Sequence, residues 1–110
     1  LVLSNAARCL FEADQFRQAK SYWQRAMGEQ PGYPAALFGL SQVELAFGDV
    51  NAAQRYFSRY TAVEGESPQQ LLLGYRIAKA SGDVQGSVRY RSRLERDFPG
   101  SEQAIDINAW

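Results

Sequence analysis

Apolar residues along this chain return every three or four positions, as in Phe16, Ala19, Trp23 and Ala26, and again in Leu37, Leu40, Val43 and Phe47. That interval is the signature of an α-helix with one buried face, and no segment sustains the alternation of a half-buried strand. The pattern predicts six helices, at about 2–14, 16–29, 34–47, 50–63, 68–81 and 84–97. The breaks between them are chemical. Pro31-Gly32 and Pro99-Gly100 stop helices. In Gly48-Asp49 and Gly82-Asp83 the glycine suits a left-handed cap and the aspartate starts the next helix. Ser67-Pro68 is a cap followed by proline at the first helical position. A short final helix at about 101–110 is expected to close the last apolar face with Ala104, Ile105 and Trp110.

The pattern also repeats, with a period of 34 residues. Gly48-Asp49-Val50 returns as Gly82-Asp83-Val84, and Arg55-Tyr56, Ser58 and Arg59 return as Arg89-Tyr90, Ser92 and Arg93. Pro34 and Leu37 return as Pro68 and Leu71, while Ala53, Tyr56 and Phe57 fall on Ala19, Tyr22 and Trp23. A fixed period of this size marks a stacked repeat protein. One helix pair cannot bury its own apolar face, but stacked pairs share a continuous core. The expected fold is therefore all-α: a single-domain α-solenoid of three helix–turn–helix units, about 1–33, 34–67 and 68–100, with a capping helix at about 101–110. Because Leu1 already lies in a helical pattern, the chain is expected to be part of a longer array. Such arrays present extended binding surfaces, which favours a protein-interaction role.

Composition narrows the chemistry. Apolar residues make up 45% of the 110, so the chain has enough to build a core. Twelve basic and twelve acidic residues cancel, which removes any general pull toward nucleic acid or anionic lipid. Half of the basic residues lie between Arg76 and Arg96, but Asp83, Glu95 and Asp97 are interleaved with them. Arg91 with Glu95, and Arg93 with Asp97, stand four apart, as solvated pairs on a helix do. No histidine is present, so the commonest general base and metal ligand is missing. One cysteine excludes an internal disulfide and a cysteine-cluster metal site. No glycine-rich phosphate loop is found, and Glu12, Asp14, Glu64 and Glu66 are scattered. No enzyme activity, cofactor or metal is expected, although a region outside the chain leaves an enzyme with this array as accessory domain open. No apolar run approaches the roughly 20 residues of a membrane helix.

The residues resemble the tetratricopeptide repeat (TPR), a family that places a small residue, an aromatic, a second small residue and a proline at set positions. The first unit has Ala19, Trp23, Ala26 and Pro31 there, the second Ala53, Phe57, Tyr60 and Gly65, and the third Ser87, Arg91, Leu94 and Pro99. Arg91 stands where a large apolar residue belongs. Sliding the third unit by one residue puts Gly86 and Tyr90 in place but sets Arg93 in a small slot, and both registers stay open. A narrower resemblance runs through Pro34-Ala35-Ala36-Leu37, Arg59-Tyr60, Leu72-Leu73-Gly74-Tyr75-Arg76-Ile77-Ala78, Gly82-Asp83 and Arg96-Asp97-Phe98-Pro99-Gly100-Ser101. These segments look like the C-terminal half of the type IV pilus biogenesis/stability lipoproteins, the PilF/PilW pilotin family. The resemblance implies a non-catalytic protein on the periplasmic face of the bacterial outer membrane, held there by an N-terminal lipid anchor not present in this chain. Its implied partner is the pilus secretin, whose assembly such proteins assist. The alternative is a generic adaptor or scaffold for another complex, in the cytoplasm.

In the repeat family the opening helices line a concave groove. The matching positions here are Ser4, Arg8, Phe11 and Glu12, then Phe38, Gln42, Leu45 and Ala46, then Gln69, Leu72, Arg76 and Lys79. An apolar strip with a basic end at Arg76 and Lys79 suits a peptide segment, whereas Phe11, Phe38 and Leu72 equally suit gap-filling between helices. On the groove reading, Phe38→Asp with Leu72→Asp is expected to abolish binding without unfolding the array. The clamp that repeat proteins use for acidic chaperone tails falls on Ser4, Arg8, Gly39, Gln69 and Leu73, where one basic residue cannot hold two carboxylates. Tyr22, Tyr56 and Tyr90 share a repeat position and are expected to cover seams between units, with a recognition stripe as the alternative. Cys9 shares one with Val43 and Ile77 and is expected to be buried as a small hydrophobe.

Overall fold

The computed structural model describes residues 2–108, and every regular element among them is a helix. Seven helices are described: α1 (Val2–Glu12), α2 (Phe16–Glu29), α3 (Pro34–Ala46), α4 (Val50–Glu64), α5 (Pro68–Ser81), α6 (Val84–Asp97) and α7 (Glu102–Asn108). They gather into two compact units, one ending at Glu64 and the other starting at Gly65.

In the first unit α1 packs on α2, α2 on α3 and α3 on α4, and α1 also meets α3. Small side chains permit that closeness: Ala7, Ala19 and Ala36 are completely buried. Trp23 fills the space they leave, and it lies against Gly39 so closely that a Cβ on Gly39 would enter its ring. Between α3 and α4, the buried Ser41 hydroxyl donates to the Ala53 carbonyl at 2.8 Å. Cys9 departs from expectation. Val43, its counterpart, sits in the core that α2 covers, but Cys9 is exposed. No described helix lies over that face of α1, so the position has nothing to pack on.

The turns between paired helices share one hydrogen-bond plan. Gln15 N–H donates to the Leu10 carbonyl (2.8 Å), Asp49 N–H to Glu44 (2.9 Å) and Asp83 N–H to Ala78 (2.9 Å), each bond closing the same loop around a left-handed residue. In two turns that residue is glycine, Gly48 (φ 85°) and Gly82 (φ 77°); in the first it is Asp14 (φ 62°). The left-handed region costs a non-glycine residue about 1–2 kcal/mol, partly offset by the chain entropy that glycine loses. Gln15 also gives α2 no side-chain cap, whereas Asp49 accepts from Ala52 N–H (3.1 Å) and Asp83 from Gly86 N–H (2.9 Å). Asp14→Gly combined with Gln15→Asp is therefore expected to stabilise the first unit by about 1–2 kcal/mol. Thermal unfolding followed by circular dichroism checks this; an unchanged or lower midpoint refutes it.

In the second unit α5 packs on α6, and α7 packs on both. Ser67 caps α5 by accepting from Gln70 N–H (3.1 Å), with proline following it inside the helix. Ser101 does the same for α7 through Ala104 N–H (3.1 Å). The core is Leu71, Leu72, Tyr75, Leu94, Ala104 and Ile107, with Tyr90 and Phe98 packed against it. Ala104 closes this core as expected, but Ile105 is exposed and Ile107 takes its place. Residues three apart share a helix face and adjacent ones do not. Trp110 lies outside the described residues. The register of α6 combines both predicted alignments: Gly86, Ser87 and Leu94 are buried, Tyr90 is half-buried, and Arg91 is exposed. The only described helix to follow α6 is the short α7, and Arg91 turns outward to Glu95 (2.8 Å).

Candidate protein-binding surface

The predicted groove positions divide between the units. Arg8, Phe11 and Glu12 on α1, with Phe38, Gln42 and Leu45 on α3, belong to the first; Gln69, Leu72, Arg76 and Lys79 on α5 belong to the second. Three of the apolar members are engaged in packing. The Phe11 ring stands 5.1 Å from Phe16 and 5.9 Å from Trp23, within the α1–α2 seam. Phe38 lies 5.1 Å from Tyr60 on α4, the partner helix of its own pair. Leu72 is 9% exposed inside the second core. An aspartate at position 72 would bury a charge, so the paired Asp substitution disturbs folding and is no clean test of binding. Arg8, Glu12, Gln69, Lys79 and Ala46 are exposed, Gln42, Leu45 and Arg76 half-buried, and Ser4 buried. Lys79 Nζ lies 5.9 Å from the centre of the Tyr75 ring, on the same helix.

Another cluster in the first unit escaped sequence reading. Lys20 Nζ is 3.0 Å from Glu44 Oε2 and 5.8 Å from the centre of the Phe47 ring, and Phe47 meets Phe16 edge-on at 6.3 Å. Glu44 is only 7% exposed, so its carboxylate depends on Lys20. A signal was present. Glu44 takes the repeat position of Leu10 and Ala78, and Lys20 that of Gln54 and Val88. Opposite charges in slots that are otherwise uncharged point to a pair specific to the α2–α3 junction.

Tyr22, Tyr56 and Tyr90 are all half-buried against their cores. Burial raises the Tyr90 hydroxyl above the ordinary tyrosine range. On α6 three of the four arginines, Arg91, Arg93 and Arg96, are held against carboxylates. Arg93 reaches Glu66 (3.0 Å) and Asp97 (3.9 Å), and Arg96 reaches Asp97 (3.1 Å). That last contact, foremost, holds the Asp97 carboxyl below its usual range. Among the described residues no three His, Cys, Asp or Glu side chains are grouped to hold a metal ion. No described helix is long and apolar enough to cross a membrane.

Solved structures share this arrangement. The crystal structure of PilW, described as a widely conserved type IV pilus biogenesis factor, superposes with a TM-score of 0.81 at 33% identity, over 96% of this chain and 48% of that one. PilF of Pseudomonas aeruginosa superposes with a TM-score of 0.81 at 23% identity, over 98% of this chain and 49% of that one. In sequence, the type IV pilus assembly protein PilF of Pseudomonas aeruginosa is 26% identical over 92 residues, which is 84% of this chain and 36% of that protein. The chain thus spans about half the length of the solved relatives and about a third of the curated one. The tetratricopeptide repeat model matches residues 10–74, more than half of the chain. Paired helices with small residues at their crossings, one repeated turn and this match together make the chain a member of the tetratricopeptide repeat family.

Proposed function

We propose that this chain is a non-catalytic binding module of type IV pilus biogenesis, part of a pilotin-like lipoprotein that assists secretin assembly at the periplasmic face of the outer membrane. The observation that carries this reading is the 33% identity to PilW, maintained over 96% of the chain. The fold supplies the means. Short helix pairs hold polar side chains at set positions along each helix. Arg8, Glu12, Gln42 and Leu45 in the first unit, with Gln69, Arg76 and Lys79 in the second, are the positions assigned to partner contact. Phe11, Phe38 and Leu72, the other positions of that set, pack within their own units.

Affinity capture of the natural protein from its own envelope tests this. Wild type is expected to recover the pilus secretin. Arg8→Glu with Glu12→Arg keeps the net charge and changes only exposed side chains, and it is expected to recover less. Secretin recovered equally by both proteins removes α1 from the contact surface. Failure of wild type to recover secretin refutes the partner.

A further inference from the structure

The outward face of α4 breaks a rule that the other second helices keep. Arg25, Arg59 and Arg93 occupy one repeat position, and Glu29, Val63 and Asp97 stand four residues after them. Two of the three arginines thus have an acid one turn on, and α4 alone has Val63, which is 56% exposed. The fold engages the other two as well. Arg25 lies 5.5 Å from the Tyr22 ring centre, and Arg93 bridges to Glu66 and Asp97. Arg59 has no carboxylate partner among the described residues. Neither has Arg55, one turn earlier on the same stripe, and both are exposed. Like charges four apart on a helix repel, so the pair does not favour α4 itself; it returns on α6 as Arg89 and Arg93, where Arg93 has acids beside it. Asn51, Gln54, Arg55, Ser58 and Arg59 line an open depression of about 610 Å³.

We propose that the stripe Arg55–Arg59–Val63 docks an extended acidic segment of a protein partner, with one carboxylate on each arginine and an aliphatic side chain on Val63. The spacing fits. Four residues of helix advance about 6 Å, and alternate residues of an extended chain stand about 6.7 Å apart. A Glu-x-Glu-x-Leu segment therefore places three consecutive same-side residues over the three positions. Guanidinium groups bind carboxylates in a fork geometry that rewards this match. The stripe lies on α4, which carries none of the positions assigned above to partner contact, and it does not depend on the pilus reading.

A fluorescein-labelled peptide with the core Glu-Ser-Glu-Ser-Leu, titrated against the full chain by fluorescence anisotropy, tests the proposal. Wild type is expected to bind it with an affinity that falls as salt rises. Val63→Glu restores the acid that the other helices carry and is expected to weaken binding about tenfold or more by occupying Arg59 from within the helix. Arg55→Gln with Arg59→Gln is expected to abolish binding, and Arg93→Gln to leave it unchanged. Equal binding of the Gln-Ser-Gln-Ser-Leu peptide overturns the proposal, as does a Val63→Glu variant that binds like wild type. Equal losses from Arg93→Gln would reduce the effect to net charge. Binding to phosphatidylglycerol vesicles in place of the peptide would make the stripe a lipid contact and likewise overturn it.

Discussion

Trp23→Ala is expected to cost the first unit about 3–5 kcal/mol, the range for deleting a buried tryptophan. The ring is 3% exposed and contacts helices on both sides: Phe11 on α1 and Gly39 on α3. The small neighbours Ala7, Ala19 and Ala36 cannot refill the space, since each carries only a methyl group with no rotamer that reaches into it. Small-domain stability is typically about 5–15 kcal/mol, so this single loss removes a large share. Gly39→Ala supplies a second arm. On an isolated helix it would gain about 1 kcal/mol. Here the new methyl meets the Trp23 ring, and overpacking of about 1–3 kcal/mol outweighs that gain. In the Trp23→Ala background the sign reverses, because the methyl then enters a cavity. Denaturant unfolding of the two single variants and the double variant measures this coupling. Additive effects would show that the two residues do not oppose each other as the geometry requires.

Leu72→Asp is expected to unfold the second unit. Leu72 packs with Leu71, Tyr75, Leu94, Ala104 and Ile107, and it contributes an apolar side chain that a core loses at about 2–5 kcal/mol. Aspartate adds the cost of a buried polar group with no partner designed for it, about 1–3 kcal/mol even in protonated form. The first unit has its own core and is expected to keep its protection. Amide hydrogen exchange separates the outcomes. Fast exchange throughout α5–α7 with slow exchange retained in α1–α3 is the expected result. Retained protection in α5 would refute the expected loss of the second core.

The contrast between these residues shows what one chain of amino acids exposes to reading. Helices α2, α5 and α6 fall on the predicted spans because their stops are covalent or conformational: Pro31-Gly32, Ser67-Pro68, Gly82-Asp83 and Pro99-Gly100. The 34-residue period carried the pairing of helices and the all-α class. The direction in which apolar groove positions point was hidden. Phe38 and Leu72 occupy the same repeat slot, yet one is half-buried against Tyr60 and the other joins a core. Periodicity places a side chain on a helix face, but only the neighbours decide whether that face is covered.

Sequence alone therefore determined the helices, their turns and the family, because proline, glycine and capping aspartate act on the backbone within a few residues. Cys9 and Val43, equal in the repeat and opposite in burial, were decided by the helix that packs over one and not the other. The Lys20–Glu44 pair was likewise a matter of two helices meeting across 24 positions of sequence. Tertiary structure settled these points because burial and ion pairing are properties of contacts between distant segments, and a contact exists only when both partners have been brought to it.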